Sequence, residues 1–315
     1  MKEFDFIHRY IKPIASASGF SQGLSDDAAH IPLAAINGDL VLTLDTIVAG
    51  THFLATDPAE SLAKKAIRVN LSDLAAKGAK PMALLLALSL PKGTDEAWLA
   101  AFAAGLAEDC VAFDAPLIGG DTTSTDGPLT ISVTAIGSVA GARTGLKRSS
   151  GRAGQLLCVS GAIGWGWLGL QRALGQLQLP EPQAQQALQH YRMPMPQMAL
   201  GARLLITSGI GASMDISDGL IADARHLADA SGLRAEINAA QVPLASADQP
   251  MIEQLTGGDD YQLLFSLDEA CLEGLERDFP SVQSIGRLTH GSGIVLLDQT
   301  QQPIRLDQEG FVHGS

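Results

Sequence analysis

The chain has 315 residues, 46% of them hydrophobic and 17% charged, which is the composition of a globular protein long enough for two domains. Its 34 Asp and Glu outnumber 21 Lys and Arg for a net charge of −13, which excludes a general nucleic-acid binder with a basic surface. The charged opening Met1-Lys2-Glu3-Phe4-Asp5-Phe6 lacks the apolar run of a secretory signal, and no apolar stretch approaches the ~20 residues of a membrane helix. We therefore expect a soluble, cytoplasmic protein with no nucleic-acid or membrane partner.

In chain order, Leu40-Val41-Leu42-Thr43-Leu44 reads as a buried strand delivering Asp45 at its C-terminal end. A helix should follow, capped by Asp57 with Pro58 at its first position and stopped at Gly78. Residues 82–90 form an apolar strand, and Thr94-Asp95-Glu96 opens a helix reaching about Phe113. Strands at residues 116–118 and 129–139 complete this half; the second alternates Ile131, Val133 and Ala135 with Ser132 and Thr134, the mark of one polar face. A break rich in Gly, Ser, Lys and Arg at residues 143–154 places a domain boundary, giving domains 1–145 and 146–315. The second half restarts with a strand at residues 156–159 and a Gly-rich turn. A helical stretch spans residues 170–192, Pro194-Met195-Pro196 caps a further helix, and Ser217 or Asp218 starts another that reaches about Ala230. Short strands follow at residues 234–237, 261–266 and 293–297.

Six aspartate loops punctuate these elements: Ser25-Asp26-Asp27, Leu44-Asp45-Thr46, Leu71-Ser72-Asp73, Gly119-Gly120-Asp121, Asp215-Ile216-Ser217-Asp218-Gly219 and Gly257-Gly258-Asp259-Asp260. Each alone reads more readily as a solvated turn than as a ligand site. Their placement at strand ends and helix starts, where ligand sites assemble in α/β folds, brings several into one cleft. Hard divalent cations such as Mg²⁺ relieve the repulsion such a cluster creates and bridge it to phosphates. Nucleotide phosphates are therefore the expected ligand, with the amides of Gly119 and Gly120, the helix start at Ser217-Asp218-Gly219, and Lys147 or Arg148 as a cradle.

Other motifs carry less. Cys110, Cys158 and Cys271 form no C-x-x-C pair, and the seven histidines never fall at zinc-ligand spacing. Gly164-Trp165-Gly166-Trp167-Leu168-Gly169 fits G-x-G-x-x-G, yet no second strand with a terminal acid follows, so a dinucleotide site is not expected. A P-loop sequence is absent.

The ordered set of segments resembles the thiamine-monophosphate kinase family of the aminoimidazole ribonucleotide synthetase-like superfamily. The resemblance is carried by the six aspartate loops together with Ile47-Val48-Ala49-Gly50-Thr51-His52-Phe53, Val69-Asn70, Leu74-Ala75-Ala76-Lys77-Gly78-Ala79 and Tyr261. It implies an α/β (α+β) two-domain fold whose N-terminal sheet contributes to a homodimer interface, and ATP-dependent phosphorylation of thiamine monophosphate to thiamine diphosphate with several Mg²⁺ ions. It also implies metal ligation by Asp27, Thr43, Asp45, Asp73, Asp121, Asp215 and Asp218. Gly120, Asp121, Arg148 and Ser217 would contact ATP, and His52, Asp259 and Phe311 would face the thiamine phosphate. No general base is required, because a phosphate monoester is largely dianionic at neutral pH. The sequence departs from the family at Asp259, where Glu is commoner, at Phe311, where Trp or Tyr is usual, at Ser25 and Leu44, and at Trp165 and Trp167. The alternatives are another ATP-using member of the superfamily, whose terminal Cys signatures are absent here, and a non-catalytic nucleotide or cation sensor.

Overall fold

A single alternation organises the first half of the protein. In a computed structural model, which describes residues 3–140, 144–306 and 310, strand β1 (Asp39–Val48) exposes Leu40, Leu42 and Leu44 and turns Val41, Thr43, Asp45 and Ile47 to the more buried face. The chain continues through helix α1 (Ala59–Ala76), β2 (Lys80–Pro91), α2 (Glu96–Ala112), β3 (Leu117–Thr125) and β4 (Thr130–Val139). The sheet order is β1-β4-β2-β3; β4 runs antiparallel to both β1 and β2, whereas β2 and β3 are parallel. Ile131, Val133 and Ala135 of β4 are sealed from solvent, as are Ile67, Leu71 and Leu74 of α1. Arg68 of α1 grips Asp109 of α2 with two hydrogen bonds, Nε to Oδ2 at 2.6 Å and Nη2 to Oδ1 at 2.9 Å, and Asp109 is only 2% exposed. Removing one partner of such a buried pair costs about 3–5 kcal/mol.

The chain divides into two compact units after Thr144, with the short segment Ala75–Gly78 grouped with the second. The second unit holds β5 (Leu156–Val159), α3 (Trp165–Ala173), α4 (Gln183–Arg192), α5 (Met198–Ile206), β6 (Ile210–Asp215), α6 (Leu220–Ala230), β7 (Arg234–Asn238), α7 (Met251–Thr256), β8 (Leu263–Leu267), α8 (Leu272–Asp278), β9 (Gln283–Thr289) and β10 (Gly293–Leu297). Its six strands are ordered β10-β7-β9-β5-β8-β6, with β10 and β7 parallel and the other neighbours antiparallel. Helix α6 buries Leu220, Ile221, Ala224, Leu227 and Ala228, the i, i+4, i+7, i+8 stripe of a helix laid on a sheet. That stripe shares a core with Leu157, Val159, Met214, Ile237, Leu264 and Ile285.

Four expectations are corrected. β1 runs on to Val48 and β3 to Thr125, so Asp45 and Asp121 lie within strands rather than beyond their ends. Both are edge strands, where one side of the backbone is unpaired and polar side chains are tolerated. α6 begins at Leu220, two residues after Asp218, because residues 215–219 are committed to another loop. The stretch 170–192 is two helices separated by Pro180 and Pro182. β6 and β9 lacked a sequence signal: β6 carries Gly211 directly after its first residue, and β9 carries Gly286 at its centre.

Gly120 fixes how β3 lies on β2. Its φ is +156°, and a Cβ there would stand 1.8 Å from the Leu86 carbonyl oxygen. Gly120→Ala must therefore push the two strands apart, and we expect it to destabilise the protein by about 2–3 kcal/mol. Urea unfolding measures this; an unchanged midpoint would contradict the close approach.

Candidate functional site

The buried side of β1 and the facing turn of α1 hold one group of polar side chains. Thr43 donates its hydroxyl proton to Asp73 Oδ2 at 2.5 Å, and the Asp45 amide donates to Asn70 Oδ1 at 3.0 Å. Asn70 is wholly buried and donates its own Nδ2 to the Ala66 carbonyl, so it cannot swing away. Burial, and then the charge of Asp73, push the Asp45 carboxyl up from 3.8 to about 6. Two carboxylates are thus held within repulsive range beside a hydroxyl. That arrangement favours a hard cation. One helix also reaches the next loop: Lys65 of α1 is 1% exposed and donates to the His52 carbonyl at 3.0 Å. The Val48 amide donates to His52 Nδ1 at 3.0 Å, which leaves the proton of the neutral imidazole on Nε2 as a donor.

Asp26, Asp27, Gly120 and Asp121 line a different place, a cavity of about 800 Å³ in the first unit bordered by Ile7 and Ile11 and by Leu44. The Asp27 amide donates to Asp26 Oδ1 at 2.8 Å, so Asp26 shapes the turn. Asp45 and Asp121 stand on opposite edge strands with β4 and β2 between them. Three strand spacings separate them, about 14 Å. The expected convergence of these acids in one cleft does not occur within the first unit. Among the described residues, no three His, Cys, Asp or Glu side chains are grouped closely enough to hold a metal ion.

In the second unit the loops at 215–219 and 257–262 run side by side. The Asp259 amide donates to the Ser217 carbonyl and the Tyr261 amide to the Ile216 carbonyl, both at 2.8 Å. Asp223 Oδ2 reaches back from α6 to accept the amides of Ser217 and Asp218, each at 3.0 Å. Burial and the charges of Asp218 and Asp215 push the Asp223 carboxyl up to about 8. Asp260, 4% exposed, accepts the Gly164 amide with both oxygens at 2.9 Å and the Gly166 amide at 3.1 Å. The N-terminus of α3, where a dinucleotide phosphate would sit in a G-x-G-x-x-G site, is therefore filled by the chain's own carboxylate.

Of the residues singled out by sequence, the structure joins Thr43, Asp45 and Asp73 in one group, Asp27, Gly120 and Asp121 along one cavity, and Ser217, Asp218 and Asp259 across one pair of loops. Asp215, at the end of β6, and Asp218 both act on Asp223. Arg148 has an exposed side chain and accepts the Ser231 hydroxyl at its carbonyl, 2.9 Å away. Phe311 lies outside the described residues. Its neighbour Gly310 packs on α6 so closely that a Cβ would be 2.7 Å from the Asp218 carbonyl oxygen. Asn70, Lys65 and Asp223 were missed. The only signal for Asp223 was an acid in the first turn of a helix, a position suited to free amides.

Two family models match the chain: AIR synthase related protein, N-terminal domain, over residues 25–139, and AIR synthase related protein, C-terminal domain, over residues 152–299. The protein is of this two-domain class. The thiamine-monophosphate kinase of Caulobacter vibrioides is 37% identical to it over 99% of this chain and 91% of its own length. The crystal structure of thiamine-monophosphate kinase from Stenotrophomonas maltophilia K279a matches with a TM-score of 0.81 at 34% identity, covering 94% of this chain and 96% of that one. AaThiL complexed with AMPPCP and TMP matches with a TM-score of 0.78 at 29% identity, covering 99% and 96%. The chain belongs to the thiamine-monophosphate kinase family. Among the described residues, no helix is long and apolar enough to cross a membrane.

Burial outweighs the amide donors at Asp260 and pushes its carboxyl up from 3.8 to about 7. Between those values the folded protein keeps a proton that the unfolded chain has released. The resulting stabilisation is full below the lower value and is lost as pH rises to the upper one. Asp260→Asn removes this dependence, so the melting temperature of the variant minus that of the parent should become more positive as pH is raised through that window. Scanning calorimetry in metal-free buffer measures it; parallel curves would contradict the assignment.

Proposed function

We propose that this protein transfers the γ-phosphate of ATP to thiamine monophosphate, forming thiamine diphosphate and ADP, as a homodimer in the cytoplasm. The observation that carries this reading is the full-length match to thiamine-monophosphate kinases, including a solved complex with AMPPCP and TMP. The first domain, 1–145, would bind ATP and metal and dimerise; the second, 146–315, would complete the phosphate and substrate site.

The donor set fits Mg²⁺, since carboxylate and hydroxyl oxygens are hard ligands, and the burial and the Asp73 charge that raise the Asp45 carboxyl are what a cation offsets. Asp27, Thr43, Asp45, Asp73, Asp121, Asp215 and Asp218 would hold several ions. When bound, these screen the charge between the two phosphates. Gly120, Asp121, Arg148 and Ser217 would orient ATP, and His52, Asp259 and Phe311 the thiamine phosphate. A phosphate oxygen of the acceptor forms the new bond to the γ-phosphorus as the bond to the β,γ-bridging oxygen breaks, and ADP leaves. The acceptor is already a dianion, so no side chain removes a proton. The role of the chain is to hold the two phosphates in line.

Asp45 and Asp121, separated by the width of one sheet, would meet across the homodimer, with Asp121 of the partner subunit completing the site at Asp45. The leucines that β1 exposes, Leu40 at 44% and Leu42 and Leu44 at 61%, support an apolar contact between sheets.

Steady-state assay with thiamine monophosphate and Mg·ATP should show ADP formation, and Asp45→Asn should lower kcat on the order of 10³-fold. No ADP above background would end the kinase reading and leave a nucleotide or cation sensor. Acid quench with γ-labelled ATP should yield no labelled protein; a stable phosphoprotein would refute direct transfer. Subunit exchange tests the shared site. Mixing inactive Asp45→Asn with inactive Asp121→Asn should restore about a quarter of parental activity, since half the dimers are mixed and one of their two sites is intact. Continued inactivity would place both acids in the same protomer's site.

A further inference from the structure

The segment 164–169, Gly164 and the start of α3, has no part in the proposed chemistry, yet it is tied on three sides to the loop that carries Asp259. Asp260 is buried beneath it with both oxygens on the amide of Gly164 and one also on that of Gly166. Gly166 lies against the loop backbone so closely that a Cβ would be 2.4 Å from the Gly258 carbonyl oxygen and 2.5 Å from the Asp259 carbonyl carbon. Trp167 covers the other end, leaving 2.5 Å between its Cβ and a Cβ at Gly257. Trp165 is stacked on His190 of α4 with ring centroids 5.3 Å apart and planes 13° from parallel, which fixes the helix start itself.

Between these anchors the loop backbone is strained. Asp259 and Tyr261 adopt φ of +61° and +49°, the left-handed region that non-glycine residues rarely occupy. Such a conformation persists only where its surroundings over-determine it. The Tyr261 hydroxyl donates to Asp259 Oδ1 at 3.2 Å, so the strained turn also sets the direction of that carboxylate.

We infer that Asp260 is a positioning residue. By occupying the N-terminus of α3 with its carboxylate, it locks the left-handed turn that presents Asp259 to the cationic, amino-bearing ring system of the acceptor. The inference rests on the kinase reading, in which Asp259 faces that acceptor. It also accounts for the G-x-G-x-x-G segment, whose amides at Gly164 and Gly166 are taken by the Asp260 carboxyl while Trp165 and Trp167 hold them in place.

The test is a comparison of Asp260→Asn, Asp259→Ala and the double variant in the purified full chain. Asp260→Asn should raise KM for thiamine monophosphate about tenfold and leave KM for Mg·ATP within about twofold, on the order expected for one lost polar contact. The double variant should match Asp259→Ala alone, because Asp260 acts through Asp259. Equal changes in both KM values, no change in either, or additive losses in the double variant would overturn the inference. If Asp260→Asn does not fold, Trp167→Leu takes its place with the same expected split, and unchanged KM values would overturn it. Hydrogen exchange separates this outcome from failure of the kinase reading. In Asp260→Asn the amides of residues 164–166 and 257–261 should exchange faster than in the parent while those of β1 and α1 do not. Uniform or unchanged exchange would overturn the positioning role even in a protein that makes no ADP.

Discussion

A carboxylate withdrawn from water needs donors or a cation, and this constraint sorts the aspartates of the protein. Buried Asp223 and Asp260 accept amide hydrogens from Ser217 and Asp218 and from Gly164 and Gly166, while the exposed Asp26 accepts that of Asp27. They are internal fittings that hold loops in place. Asp45 is different: its own amide is fixed by Asn70, but its carboxyl meets the field of Asp73. The acids that accept amides define the shape of the site, even at Asp223 where Asp218 and Asp215 also press on the carboxyl, and the pair Asp45 and Asp73 defines what it can attract. Adjacent carboxylates such as Asp259 and Asp260 are tolerated because they follow opposite courses, one turned inward onto α3 and the other held by its loop neighbour Tyr261.

Legibility in the sequence followed the range of the interactions. β5 and β10 fell within the expected bounds because short apolar runs between turn residues need nothing distant to define them. The glycine-aspartate motifs were legible for a similar reason, since the backbone demand that selects glycine sits beside the acid it serves. Asn70 and Asp223 were not legible as positioning residues, because their partners are chosen by how a helix is laid on a strand or a loop. The strand ends were misjudged where an acid was taken to end a strand: Asp45 and Asp121 remain in ladder register with Val133 and Ala87.

The sheets explain why the α/β expectation located the acids imprecisely. In a parallel sheet, carboxyl ends of strands share one rim, and a site can be read from strand order. Here antiparallel pairing dominates both sheets, so neighbouring strands mostly end on opposite rims. Acids that look equivalent in the sequence are then dispersed over a sheet's width and its two faces. On the proposed reading, their reunion depends on a second copy of the chain.

Helix α1 carries one further consequence. Lys65 holds the His52 carbonyl, Asn70 holds the Asp45 amide, and Asp73 takes the Thr43 hydroxyl, all from little more than two turns of one rigid rod. The rod acts as a common axle. Any slip or roll of it displaces the His52 imidazole and the acidic group in the same movement, so the distance between them is set by helix geometry rather than by loop conformation. Substitutions that loosen its seat, such as those at Arg68 or Asp109, will detune both ends together and are not repaired by compensating changes in either loop alone.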